Sequence, residues 1–336
     1  MDRRLGFTIG MVALGLLGCV RPAGAETATV RIAQQYGISY LPLEVMKNRR
    51  LLEARVQATG LGAITVTWAN FAGGTQVNDA MISGNLDIAA GGPPPLIKLW
   101  EKTQGRDAVM GVAAVSTMPF TLTTINPAVR TLADFSDMDR IALPAAKVGI
   151  HAVVLQMAAQ RLWGANQFDH LDHLTVTMNH PDAVVALLSG RSEITAHFTS
   201  PPFVARELAD PRVHKLLEAY DVLGGPSTII VAWAPTSFRQ NNPKTYGAFI
   251  AALADANRLI EQDPALAARI YLEEEHSRED PTAIEAMLRD PGTRFTTAPL
   301  NVMKFAAFLY DTGQIKRRPE TWKDLFFPEI ADQNGS

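Results

Sequence analysis

One short pattern occurs twice in this chain, at Ser83–Ala90 and again at Ser189–Ala196. The first copy, Ser83-Gly84-Asn85-Leu86-Asp87-Ile88-Ala89-Ala90, runs into Gly91-Gly92-Pro93-Pro94. The second, Ser189-Gly190-Arg191-Ser192-Glu193-Ile194-Thr195-Ala196, is followed by Pro201-Pro202. Each copy follows an apolar run with helical spacing. Each therefore predicts a helix stopped by glycine, an acidic turn, a brief strand and a Pro-rich loop. Upstream, Gly37-Ile38-Ser39 and Gly149-Ile150-His151 match as points where a strand ends and a helix begins. Two copies of one β-α-β-α-β unit predict an α/β protein of two similar lobes, with a ligand cleft between them.

The amino terminus predicts export. Arg3 and Arg4 precede an apolar run, Leu5–Leu17, that is too short and Gly-interrupted to span a bilayer comfortably. Ala23-Gly24-Ala25 supplies small residues for cleavage, so Met1–Ala25 reads as a signal peptide. Leu16-Leu17-Gly18-Cys19 also resembles a lipoprotein box, which leaves a lipid anchor at Cys19 open beside plain cleavage after Ala25. Removing residues 1–25 takes three basic and one acidic residue from the 31 and 34 present, leaving a net charge near −5. That balance argues against nucleic acid and polybasic membrane binding. Cys19 is the only cysteine, so the mature chain has neither a thiol nucleophile nor a Cys-based metal site. His170 and His173 come nearest to a metal spacing, in a loop-like stretch, and no metal or cofactor is expected.

Along the chain, strands are predicted at Thr29–Ala33, Ile64–Trp68 and Ile88–Ala90, then at Ile141–Leu143 and Leu174–Thr177. The long β-branched stretch Val109–Thr124 suits a strand leaving the first lobe, and Ser227–Ala234 one returning to it. The expected division is Glu26–Thr117 with Ser227–Ser336 as the first lobe and Met118–Pro226 as the second. Thr75 is a plausible N-cap after Gly73-Gly74, and Thr245–Glu261, Ala265–Glu274 and Asn301–Thr312 read as closing helices.

The run Trp68–Gly74, then Ala80–Asp87 and Gly91–Pro94, resembles the sulfonate, nitrate and taurine binding proteins of bacterial ABC importers. That group includes relatives that bind thiamin-pyrimidine precursors. Asn242-Pro243, Ile260–Ala268 and Phe305–Lys316 resemble its carboxyl-terminal helices, so the similarity covers nearly the whole mature chain. The resemblance implies a type II periplasmic binding protein with two hinge crossovers and ligand in the cleft. It also implies a monomer in the periplasm that delivers a small-molecule solute to permease subunits without chemistry. The resemblance extends to pyrimidine synthases and aryl-sulfinate desulfinases, whose chemistry depends on cysteines that the mature chain lacks, and a sensor role stays open as an alternative.

In such a cleft, strand-to-helix loops aim helix N-termini, with unpaired N–H groups, at the ligand. Gly73, Gly74 and Thr75, together with Gly149 and His151, are the expected oxyanion contacts. Gln35, Tyr36, Ser39 and Tyr40 lie in the first loop, where the family places ligand contacts, and offer hydrogen bonds and an aromatic wall. Gly92 and Pro93 come from the first Pro-rich loop, and His197 and Phe198 are placed in the second. Lys147 is a candidate neutralising charge, whereas Arg191 and Arg206 read as solvated helix-end residues. Relatives often have a polar residue near Gly92, and its absence loosens a sulfonate preference.

Overall fold

The structure, a computed structural model, describes residues 25–336. The signal-peptide and Cys19 expectations concern residues outside that range, Ala25 excepted. Among these residues, ten strands divide between two five-stranded sheets. The first contains β1 (Thr29–Gln34), β2 (Thr65–Asn70), β3 (Ile88–Gly91), β4 (Val109–Thr117) and β10 (Thr228–Pro235), in the order β2-β1-β3-β10-β4. The second contains β5 (Thr121–Thr124), β6 (Ile141–Leu143), β7 (Thr175–Thr177), β8 (Ala196–Thr199) and β9 (His214–Glu218), in the order β7-β6-β8-β5-β9. Residues 141–196 and residues 32–90 thus sit in separate sheets.

The sheets are built alike. In each, the unit's first strand lies between its second and third, and both pairings are parallel: β1 with β2 and β3, β6 with β7 and β8. Parallel neighbours need helical crossovers, which the repeated sequence units supply. The fourth place in each sheet goes to an antiparallel strand that carries the chain between lobes. It is β10, returning, in the first sheet and β5, arriving, in the second. The apolar stretch Val109–Thr124 is therefore not one strand. It breaks at Met118-Pro119-Phe120, where proline ends the ladder and the chain changes sheets. The second crossing runs through Gly224 and Gly225, both at positive φ, into β10.

The fold is a type II periplasmic binding protein: two α/β lobes, two crossovers and a cleft at the carboxyl ends of the parallel strands. After β10 the chain closes the first lobe. The helix Pro243–Gln262 packs on the helices Leu41–Asn48 and Leu51–Ala58, and Val302–Asp311 packs on Pro93–Thr103. Trp233 of β10 and Phe249 and Phe305 of those helices have no exposed surface. Among the described residues, no helix is long and apolar enough to cross a membrane.

Candidate functional site

The loop after β1 enters the cleft first. Gly37 takes φ +107°, a conformation that favours glycine, and the Ile38 N–H donates to Pro201 O of the second lobe at 3.3 Å. Gln35, Tyr36, Ser39 and Tyr40 line the cavity between the lobes. Burial pushes the Tyr40 phenol well above its ordinary pKa, so its O–H stays a donor. From the second lobe the cavity is lined by Pro144, Ala145, Gly149, Ile150, His151, His180 and Ser200. Ala72, Gly74, Gly92, Pro95, Ile229 and Ile230 complete it from the first. The enclosed space is about 30 Å³, room for roughly two waters at ~15 Å³ each. A larger solute does not fit while the lobes are this close.

Glycines make this close approach. A Cβ on Gly73 would lie 2.0 Å from Pro144 O, and one on Gly92 would lie 2.8 Å from Ile150 Cβ, both across the cleft. Gly73 is thus a lobe-to-lobe contact rather than a residue of the cavity wall. It is also the N-cap of the helix Gly74–Ile82, replacing Thr75 in that role. Thr75 lines a neighbouring groove with Asn78, Lys98, Lys102 and Val148.

The helices that begin at the cleft differ in what they offer. The helix Ile150–Trp163 has Gly149 as N-cap, and its first internal bond runs from Val153 N to Gly149 O. The N–H groups of Ile150, His151 and Ala152 therefore precede the ladder and stay free for a partner. The Gly149 N–H itself donates to Ala145 O at 2.9 Å, so it is not the free donor expected of it. The helix Pro93–Thr103 starts with Pro93, Pro94 and Pro95, which have no N–H to give. Gly92 reaches the cavity but Pro93 does not, and this helix contributes a dipole without first-turn donors.

Lys147 lies off the cavity wall. It occupies a left-handed turn at φ +65°, and its side chain is exposed, outside the cavity lining. His197 and Phe198 lie not in a loop but in β8, fully buried behind the cavity. Phe198 packs on Phe120 and His151, with ring centroids 5.3 and 5.6 Å apart. His197 faces inward to Glu207 and His180. The alternation Ala196-His197-Phe198 marks a buried strand, and the neighbouring Pro201-Pro202 drew it into a loop.

His151 and His180 are the titratable side chains of the second lobe on the cavity. Burial pushes the His151 imidazole down to about 3, with His197 adding to the shift. Burial likewise holds His180 well below its ordinary value, helped by His151 and His197. Both rings are neutral near pH 7. His151 Nε2 is buried without a hydrogen-bond partner. Among the described residues, no carboxylate, lysine or arginine lines the cavity. No cluster of His, Cys, Asp or Glu among the described residues is arranged to hold a metal.

The helix start at His180 has a local signal in the sequence, since Asn179 caps it by accepting from Asp182 N at 2.9 Å. Ser200, Ile229 and Ile230 carry no such signal, because β10 reads only as a buried strand. The Glu207 carboxyl, fully buried in the short helix Phe203–Leu208, has none either.

The NMT1-like family matches residues 23–271. No curated protein matches the chain. Several solved structures share its fold. The alkanesulfonate-binding protein SsuA from Xanthomonas axonopodis pv. citri, bound to MOPS, superimposes with a TM-score of 0.69 at 19% identity, covering 88% of this chain and 96% of that one. The periplasmic aliphatic sulphonate binding protein SsuA from Escherichia coli gives 0.63 at 18%, covering 90% and 92%. The periplasmic nitrate-binding protein NrtA from Synechocystis PCC 6803 gives 0.65 at 12%, covering 91% and 84%. These likenesses speak for the fold, and the sequence match for the family: this chain belongs to the NMT1-like family.

Proposed function

We propose that this chain is the exported solute-binding component of an ABC importer, holding a small solute with an oxyanion between its lobes. The observation that carries the reading is the cavity wall. The first turn of the helix Ile150–Trp163 meets Gln35, Tyr36, Ser39 and Tyr40 across one cavity, and no carboxylate lines it. Free N–H groups and hydroxyls at a positive dipole end stabilise negative charge without a formal cation. The neighbours that bind alkanesulfonate and nitrate support that class. Residues 26–117 with 227–336 form one lobe of this reading and residues 118–226 the other. Solute closes them by favouring the closed state, and the closed monomer docks on permease subunits in the periplasm. Attachment through Cys19 and cleavage after Ala25 are both compatible with that role.

A second reading rests on a specific feature. The wall has no lysine or arginine, while Tyr36, Tyr40, His151 and His180 offer flat, uncharged faces. Such a wall also suits a neutral heteroaromatic solute of pyrimidine type. A thermal-shift screen of alkanesulfonates, nitrate, carboxylates and aminopyrimidines separates the readings, because the bound class raises Tm with concentration. The anion reading expects a sulfonate or related oxyanion to stabilise the protein and to be recovered unchanged. A cationic ligand in the cleft sinks it, and conversion of the bound compound overturns binding without chemistry.

A further inference from the structure

A line of hydrogen bonds runs through the second lobe from its buried interior to the cavity. Thr123 Oγ1 on β5 lies 2.6 Å from Glu207 Oε2 and 3.2 Å from His197 O, and its single proton goes to the nearer carboxyl oxygen. Glu207 Oε1 lies 2.5 Å from His197 Nδ1, and His197 Nε2 lies 2.9 Å from His180 Nδ1. Glu207 and His197 have no exposed surface, whereas His180 lines the cavity. The sheet sets this up: Thr123 pairs with His197 across β5 and β8, and the helix Phe203–Leu208 brings Glu207 over both.

With the Thr123 proton on Glu207 Oε2, the number of protons in this line decides what His180 offers a solute. With two, Glu207 is a carboxylate, His197 donates to it through Nδ1, His180 donates to His197 through Nδ1, and His180 Nε2 is left a lone pair. With three, the Glu207–His197 pair is neutral overall, His197 Nε2–H donates to His180 Nδ1, and His180 Nε2 carries the third proton. Deep burial penalises the two-proton state, which leaves one uncompensated negative charge away from water. We propose that Glu207 and His197 hold a shared proton that makes His180 Nε2 a hydrogen-bond donor into the cleft, so that the site takes an oxyanion while that proton is held and loses it when the proton leaves. This rests on the cavity being the solute site.

The surroundings fit an uncharged donor. His180 is held neutral by burial, and so is His151, whose ring centroid is 5.0 Å away. Thr199 Oγ1 lies 3.2 Å from His180 Nδ1, close enough for its hydroxyl to donate there in the three-proton state. Phe203 covers the ring at 5.3 Å, and beyond it Arg206, Glu275 and Glu279 border an outer groove. Tyr36 and Tyr40 face the cavity from the first lobe. Because the oxyanion-bound form keeps the third proton, affinity falls about tenfold per pH unit above the pH at which the free line gives it up.

Nitrogen-15 NMR of the histidine rings in the full exported chain, without added solute, is the direct test. At neutral pH His180 should be the Nε2–H tautomer, with a strongly deshielded proton between Glu207 and His197. Raising the pH should swap His180 to Nδ1–H, and His197→Phe should abolish the swap. His180 found as Nδ1–H at neutral pH overturns the proposal, and wild type alone decides this if the variant does not fold. Calorimetry with methanesulfonate reads the consequence. The tenfold-per-unit loss at high pH should appear in wild type and be absent from His197→Phe. Tight, pH-independent binding in wild type overturns the coupling. If methanesulfonate fails to bind at any pH while the tautomer swap is seen, the anion reading of the cleft fails and the proton line stands.

Discussion

Gly149 shows how a residue can be placed correctly and its chemistry misread. Its sequence position gives a helix start at the cleft, and it is one. Its own N–H, though, is spent on Ala145 O, and a Cβ there would lie 2.9 Å from that oxygen. Replacement by aspartate therefore tests crowding as well as charge. Gly149→Ala should weaken solute binding by itself, and Gly149→Asp should lose about a further tenfold, or ~1.4 kcal/mol, from charge repulsion at the same helix start. Titration calorimetry on both variants isolates the second factor, and equal affinities for the two would remove the anion from this position. Lys147 and Glu207 mark the other limit of reading single residues. Nothing local distinguishes a left-handed solvated lysine from a ligand-binding one, or a buried helical glutamate from an exposed one, because both outcomes are decided by residues distant in sequence.

At the scale of elements the sequence was most readable where local chemistry and tertiary position agree. The Gly-stopped helices, the parallel strands and the capped start at Asn179-His180 follow from spacing and turn chemistry. The break of Val109–Thr124 into β4 and β5, and the burial of His197 in β8, do not, since both depend on which sheet receives the strand. The triple proline at the start of Pro93–Thr103 was visible, but its effect, a helix end without donors, became clear only once that end faced the cleft. The Asn179 cap offers a measurement. Its Oδ1 accepts from Asp182 N and its Nδ2 donates to the Asp182 carboxylate at 2.8 Å, fixing the turn that presents His180. Asn179→Ala should cost about 1 kcal/mol of stability. It should also weaken solute binding more than an equally destabilising surface change such as Ser189→Gly. A cap loss that leaves affinity untouched would detach His180 from recognition.

For the whole molecule, two features link stability and closure to the way the first lobe is assembled. The first is Glu44, wholly buried between the early helices and the helix Pro264–Glu274. Burial raises its pKa well above the ordinary carboxylate value, and the nearby charge of Glu275 adds to this. A carboxyl raised on folding contributes most below its unfolded pKa and costs stability as pH rises towards the folded value. Glu44→Gln should therefore raise Tm by about 2–4 °C per kcal/mol gained, with the gap over wild type wider at pH 8 than at pH 5. A constant gap would mean that Glu44 titrates normally. The second feature is the fit between lobes. Gly73 is extended at φ −174°, where alanine is unstrained, yet a Cβ would come within 2.0 Å of Pro144 O on the opposite lobe. That neighbour is backbone and cannot turn aside, so the clash exists only while the lobes are together. Gly73→Ala should keep its solute-free Tm near wild type, because parted lobes relieve the contact. It should raise the Kd of the selected solute more than tenfold, since closure is what the solute stabilises. Gly62→Ala, with no atom within 4 Å of its Cβ, is the neutral control. X-ray scattering then reads the motion: wild type should contract on solute addition, and Gly73→Ala should not. A variant that contracts and binds like wild type would show that solute recognition does not require the lobes to meet at Gly73 and Pro144.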